Sequence, residues 1–247
     1  MKKKKVLLLS DHALSTSGVG VQSRHLINGL IDKGTWTFRQ FGAAIRHNSY
    51  VQVNDDFIVK PVDGFGTPDL IRQTLAGEKP DVLLLFTDPR FFVWLWEMED
   101  EIHQICPIAY WHVWDNKPFP SFNAPYYEAT DLINCHSYLT YELLNERYPK
   151  KVNFIPHALP GEIYHKMHDD EIRDAKIQAL GYENKDAFVA FWMNRNARRK
   201  RPGDVLLSWK RFLQENTVNG NRPNAVLLMH TDPQDSEGPN LYAVANE

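Results

Sequence analysis

Lys79-Pro80-Asp81-Val82-Leu83-Leu84-Leu85-Phe86 restricts the fold more than any other segment. An uninterrupted apolar run entered through a proline reads as a strand buried on both faces, which requires a parallel sheet with helices on either side. Shorter runs of the same kind occur at Val6–Leu9, Trp36–Phe41, Ile108–Trp111, Leu132–Cys135 and Val152–Ile155, with Phe57–Val62 as a further candidate. Helical patterns alternate with them. Val21–Ile31 places Leu26, Ile27, Leu30 and Ile31 on one side after a turn at Gly18–Gly20, and Pro68–Ala76, Phe91–Ile102 and Ser137–Glu146 follow. This alternation predicts a doubly wound α/β domain over roughly residues 1–160.

A polar, charged stretch over 161–186 reads as a connection, in which Asp169-Asp170-Glu171 suits the start of a helix. The alternation then restarts. A strand over Phe188–Met193, a helix over 204–215 and a strand over Ala225–Met229 predict the beginning of a second Rossmann-like domain at 187–247. The whole is one complete α/β domain plus the start of another.

With 247 residues the chain has room for two modest domains. A net charge of −3 argues against a nucleic-acid-binding surface, so basic clusters are local features. Cys106 and Cys135 are far apart and outside any CxxC pattern, which predicts neither a disulfide framework nor a zinc site. No acidic pair or ligand cluster suits a metal, and no metal or cofactor is expected. The Lys2–Lys5 run precedes an apolar stretch too short for a signal peptide, and nothing approaches the ~20 apolar residues of a membrane span. The expectation is a cytoplasmic protein, with peripheral membrane contact left open.

In doubly wound sheets ligands sit beyond the carboxyl ends of the strands. Here those ends carry Ser10-Asp11-His12, Thr87-Asp88-Pro89, His112-Val113-Trp114-Asp115, His136-Ser137, His157-Ala158 and Asn194-Arg195. The strands are apolar while their exits are polar and rich in histidine, which predicts a cleft. Dinucleotide binding is disfavoured, since the first loop lacks GxGxxG and no acidic residue ends Phe38-Arg39-Gln40-Phe41. The densest exit is Asn194-Arg195-Asn196-Ala197-Arg198-Arg199-Lys200-Arg201-Pro202. A strand that delivers this many cations into one loop before a helix suits a phosphate group, although a solvated basic face gives the same pattern.

The order of these motifs resembles the retaining GT-B glycosyltransferases of group 1. Ser17-Gly18-Val19-Gly20-Val21 resembles the family's glycine-rich loop, and Tyr110-Trp111-His112-Val113-Trp114-Asp115 its histidine-bearing strand end. Val152-Asn153-Phe154-Ile155-Pro156-His157-Ala158 is similar to the segment that closes the first domain, with Ala158 where the family usually has glycine. Arg195 and Lys200 have the spacing of the family's donor-diphosphate pair.

The resemblance implies a nucleotide-diphosphate sugar as donor substrate and transfer with retention, independent of metal, to a saccharide, lipid or protein acceptor. It assigns the donor diphosphate to Arg195 and Lys200, close backbone approach to Gly18 and Gly20, and a catalytic contact with sugar or acceptor to His112. The residues alone also allow His112 to be a strand-end histidine bonded to a loop carbonyl. The family's later E-x7-E segment is missing from the tail, so the resemblance implies a chain truncated within its donor domain. The alternative is a non-catalytic sugar- or nucleotide-binding protein on the same scaffold.

Overall fold

The computed structural model describes residues 2–247, which divide into two compact units that meet between Pro160 and Gly161 in the sequence. The first unit is built on an eight-stranded sheet. In chain order its elements are β1 (Lys4–Asp11), α1 (Gly18–Ile31), β2 (Trp36–Ala43), β3 (Val51–Asn54), β4 (Phe57–Lys60), α2 (Pro68–Glu78) and β5 (Val82–Phe86). After these come α3 (Val93–Trp96), α4 (Glu99–His103), β6 (Ile108–His112), α5 (Ala124–Glu128), β7 (Leu132–Cys135), α6 (Tyr138–Asn145) and β8 (Val152–Phe154).

The strand order is β3-β4-β2-β1-β5-β6-β7-β8, and every neighbouring pair is parallel except β3 with β4. The winding therefore changes direction between β1 and β5. In that register Leu7, Leu8 and Leu9 lie beside Leu83, Leu84 and Leu85. Alternate side chains along each strand feed two different cores. Leu7, Leu9, Leu83, Leu85 and Tyr110 pack with Ile71, Leu95, Tyr127 and Leu144 from α2, α3, α5 and α6. Val6, Leu8, Phe86 and Trp111 pack with Ile27 and its α1 neighbours on the other face. This is the two-sided burial that the apolar runs demand.

Three local readings change and a fourth holds. Gly18–Gly20 is not a turn but the first turn of α1, because Ser17 caps the helix by accepting the Gly20 N–H at 3.0 Å. The expected helix over Phe91–Ile102 is divided into a short 3-10 turn at Pro89–Phe92, then α3 and α4. Leu95, Trp96, Met98 and Ile102 are all buried in the same core. The exposed edge strand β3 is an addition, joined to β4 through a turn in which the Asp56 N–H donates to Asn54 Oδ1 at 2.9 Å. Ser137 caps α6 as its hydroxyl chemistry predicts, accepting from Thr140 N–H at 3.1 Å.

The second unit contains α7 (Asp169–Leu180), β9 (Phe188–Met193), α8 (Pro202–Glu215), β10 (Ala225–His230) and α9 (Leu241–Asn246). α7 begins at Asp169, where the acidic cluster suits a helix start, α8 matches the expected helix, and α9 is an addition. Residues 161–186, expected as a connection, group with this unit, and Lys176 donates to the Ala187 carbonyl at 3.1 Å. Its sheet is a single parallel pair, β10 beside β9.

Candidate functional site

The turn after β1 is held from all sides by a buried polar network. Gln40 on β2 donates to Ser10 Oγ at 2.7 Å and to the Asp11 carbonyl at 2.8 Å, and accepts from the Ala13 N–H at 3.1 Å. Ser23 on α1 donates to Ser10 Oγ at 3.1 Å, and Ser17 donates to Asp11 Oδ2 at 2.6 Å. His12 Nδ1 accepts from the Leu14 N–H at 3.0 Å, which leaves the proton on Nε2. Burial first, and His47 second, hold the His12 pKa below its ordinary value, so the ring is neutral at neutral pH.

Within this network the two glycines of the expected loop differ. A Cβ on Gly20 would lie 2.2 Å from Ser15 Oγ and 2.5 Å from the His12 carbonyl oxygen, so only glycine lets α1 start against the turn. Gly18 faces open space.

His112, at the carboxyl end of β6, is fully buried on the face covered by α2 to α6. Asn123 donates to Tyr127 Oη at 3.3 Å, and Tyr127 Oη and His112 Nε2 share a hydrogen bond of 2.6 Å. With the tyrosine hydroxyl assigned as donor, the ring proton is on Nδ1, which has no partner among the described residues. Burial, reinforced by His136, lowers the His112 pKa to about 3. The ring is therefore a neutral donor and a poor base. Its contact is a tyrosine hydroxyl, not the loop carbonyl that the bland sequence reading supplies.

Trp111, one residue earlier, points to the opposite face. It stacks on Phe86 with centroids 4.4 Å apart, and His157 stands edge-on to both at 5.3 and 5.7 Å. His136 stacks on His157 at 4.7 Å and hydrogen-bonds through Nδ1 to the His112 carbonyl at 2.8 Å. Gln22 on α1 ties this segment down with two bonds to the Ala158 backbone, at 2.8 and 3.2 Å. The carboxyl ends of β1, β5, β6, β7 and β8 thus converge through rings and α1. Sequence reasoning finds the histidines and misses Gln22, Gln40 and Asn123.

In the second unit β9 leads into the basic loop and α8. Arg195 is not free. Its Nε donates to Asp235 Oδ2 at 2.6 Å and its Nη2 to Asp235 Oδ1 at 3.0 Å, which raises the arginine pKa and lowers that of the aspartate. Asn196 is fully buried and donates to the Pro239 carbonyl at 2.9 Å, while the Arg198 N–H donates to the Glu237 carbonyl at 3.1 Å. Arg201 pairs with Asp204 in the first turn of α8. Arg198, Arg199 and Lys200 have no ion-pair partner among the described residues. Gly18, Gly20 and His112 belong to the first unit, and Arg195 and Lys200 to the second.

Among the described residues no cluster of three or more His, Cys, Asp or Glu is arranged to hold a metal, and no helix is long and apolar enough to cross a membrane. Cys106 and Cys135 are free thiols, and burial pushes them up to about 11 and about 12.

No protein-family model matches the chain, and no curated protein matches it in sequence. Solved structures do match in fold. A sucrose-phosphate synthase from Thermosynechococcus elongatus superposes with a TM-score of 0.64 at 13% identity, over 96% of this chain and 65% of the synthase. An alpha,alpha-trehalose-phosphate synthase (UDP-forming) from Burkholderia vietnamiensis gives 0.58 at 12% identity, over 100% of this chain and 67% of that one. A glycosyltransferase from Rickettsia africae gives 0.55 at 13% identity, over 99% and 72%. The chain therefore has the α/β architecture of GT-B glycosyltransferases, a large mostly parallel sheet with a small second one, and spans 65% to 72% of the length of these structures.

Proposed function

We propose that this protein is a retaining glycosyltransferase that takes its sugar from a nucleotide diphosphate. One observation carries the reading: a strand–basic loop–helix unit follows a doubly wound domain in a chain whose fold matches GT-B glycosyltransferases. In the reaction the bond between the anomeric carbon and the diphosphate oxygen breaks, and its electron pair stays on the diphosphate. An acceptor hydroxyl forms the new bond to the anomeric carbon and gives its proton to the departing diphosphate oxygen. Arg195 and Lys200 stabilise the charge that grows on the leaving group, an interaction stronger in the transition state than in the ground state.

His112 is fully buried as it stands, so it enters only where its cover opens to admit the sugar, and then as a hydrogen-bond donor through Nδ1–H to a sugar hydroxyl. A ring held neutral down to about pH 3 is unsuited to accept the acceptor's proton. Gly18 and Gly20 contribute the start of α1, whose amides favour an anionic or polar group.

The test incubates the chain with a panel of nucleotide sugars and measures release of nucleoside diphosphate, with ligand binding followed by calorimetry. Release or transfer that falls at least tenfold in Arg195→Ala and Lys200→Ala supports the reading. Binding without any turnover supports the non-catalytic alternative. Neither binding nor release across the panel, or equal activity in both variants, sinks it.

A further inference from the structure

We propose that Asp235 is a positioning residue for the anion-binding loop: it grips the guanidinium of Arg195 edge-on and presents the opposite edge to a phosphate group. The inference rests on the proposed role of Arg195 as a diphosphate ligand. A guanidinium has five N–H donors, and Asp235 takes two of them, Nε–H and one on Nη2. The three that remain include the Nη1/Nη2 edge, which is the fork that matches two phosphate oxygens. A carboxylate that competed with phosphate would occupy that outer fork. This one leaves it open.

The asymmetry of burial supports the assignment. The Arg195 side chain is 61% exposed, whereas that of Asp235 is 15% exposed. The aspartate is also fixed from behind, since Oδ1 accepts the Glu237 N–H at 3.0 Å. Its loop is locked to the basic loop by the Asn196–Pro239 and Arg198–Glu237 bonds. The loops touch so closely that a Cβ on Gly238 would lie 2.0 Å from Asn196 Oδ1. A flexible, exposed arginine is in this way tied to a rigid frame before any ligand arrives, which removes an ordering cost from binding.

The charge balance leaves an anion wanted. Around the loop stand Arg195, Arg198, Arg199, Lys200 and Arg201. Against these five cations are Asp235 and Asp204 in direct ion pairs and Glu237 acting on Arg195 from further away. The surplus is positive after all three carboxylates are counted.

Binding of inorganic pyrophosphate to the full chain, measured by calorimetry, tests the proposal with Asp235→Asn, Arg195→Ala and the double variant. Removing a group that orients a ligand-binding side chain is expected to weaken binding about tenfold or more. Asp235→Asn should therefore lose about that much, should lose nothing further in the Arg195→Ala background, and should recover in part as Asp235→Glu. The Arg195 Nε–H resonance should also move towards that of a solvated arginine in Asp235→Asn. Undiminished or tighter binding by Asp235→Asn while Arg195→Ala is impaired overturns the positioning role alone. An equal loss from Asp235→Asn with and without Arg195 also overturns it. No pyrophosphate binding by the unaltered chain, or equal binding by Arg195→Ala, overturns the phosphate reading of the loop itself.

Discussion

β5 and β9 are both short apolar runs that end at polar loops, yet the chain treats them differently. Leu83 and Leu85 on β5 are fully buried, with β1 on one side, β6 on the other and helices over both faces. On β9, Phe188, Phe191 and Met193 are each about 60% exposed, and β10 is its one paired neighbour. α8 offers partial cover, with the Phe212 ring 6.4 Å from that of Phe188. Apolar sequence thus specifies that a strand forms. How much that strand stabilises depends on what the rest of the fold lays beside it.

The largest expected effect tests that contrast directly. Leu85→Ala removes fully buried methyl groups from the middle of the sheet and should cost about 2–5 kcal/mol. Phe191→Ala removes a larger side chain that is already 59% exposed, and should cost less than about 1 kcal/mol. Urea unfolding with hydrogen exchange read separately on peptides of each unit gives both numbers. A Phe191→Ala loss as large as that of Leu85→Ala would show that β9 is covered in solution.

A tightly packed glycine provides the next comparison. In the first unit Gly20→Ala drives a Cβ into a backbone carbonyl of the turn after β1, and should cost about 1–3 kcal/mol. In the second unit Gly238→Ala meets the buried Asn196, including its carbonyl oxygen at 2.6 Å. It should open the 232–240 loop and weaken pyrophosphate binding while the first unit keeps its melting temperature. Loss of stability in both units from either variant would break the independence of the two.

The strands were legible in the sequence because apolar runs bounded by proline, glycine and polar residues have few other interpretations. The winding and the histidine-rich exits followed from them. β3 was not, because the alternation of Val51-Gln52-Val53-Asn54 runs over only four residues and lies on an exposed edge. The division of α3 from α4 was also hidden, since no glycine or proline interrupts Phe91–Ile102. In the candidate site the titratable residues announce themselves by type, whereas their partners do not. Asp235 lies 40 residues from Arg195, and Gln22 lies 136 residues from Ala158. Such pairs are products of the fold and leave no local signature.

Acidification should distinguish the buried histidines of the first unit. His112 has a pKa of about 3 when folded against an ordinary 6.5, with His12 and His157 shifted in the same direction. A base whose pKa is lowered on folding binds fewer protons folded than unfolded, so its contribution is complete above pH 6.5 and is lost as pH falls towards 3. For His112 the loss between pH 6.5 and pH 5 is at most about 2 kcal/mol. His112→Gln, whose amide oxygen can still accept from Tyr127, should flatten the pH dependence of the first unit's unfolding over that window. An unchanged slope would mean that His112 is not the group being titrated.

Gly18→Ala should have the smallest effect, and its sign is informative. Gly18 is the first residue of α1, it faces open space, and the cap beneath it is made by Ser17 and the Gly20 N–H. Alanine there loses less backbone entropy on folding, so thermal unfolding should shift upward by the equivalent of about 0.5 kcal/mol. Gly20→Ala, two residues on, should shift it downward. If the amides at the start of α1 also receive a ligand that needs close backbone approach, Gly18→Ala will weaken nucleotide-sugar binding even as it stabilises the fold. Stability gained with binding untouched would leave Gly18 as a helix residue and confine the close-approach role to Gly20.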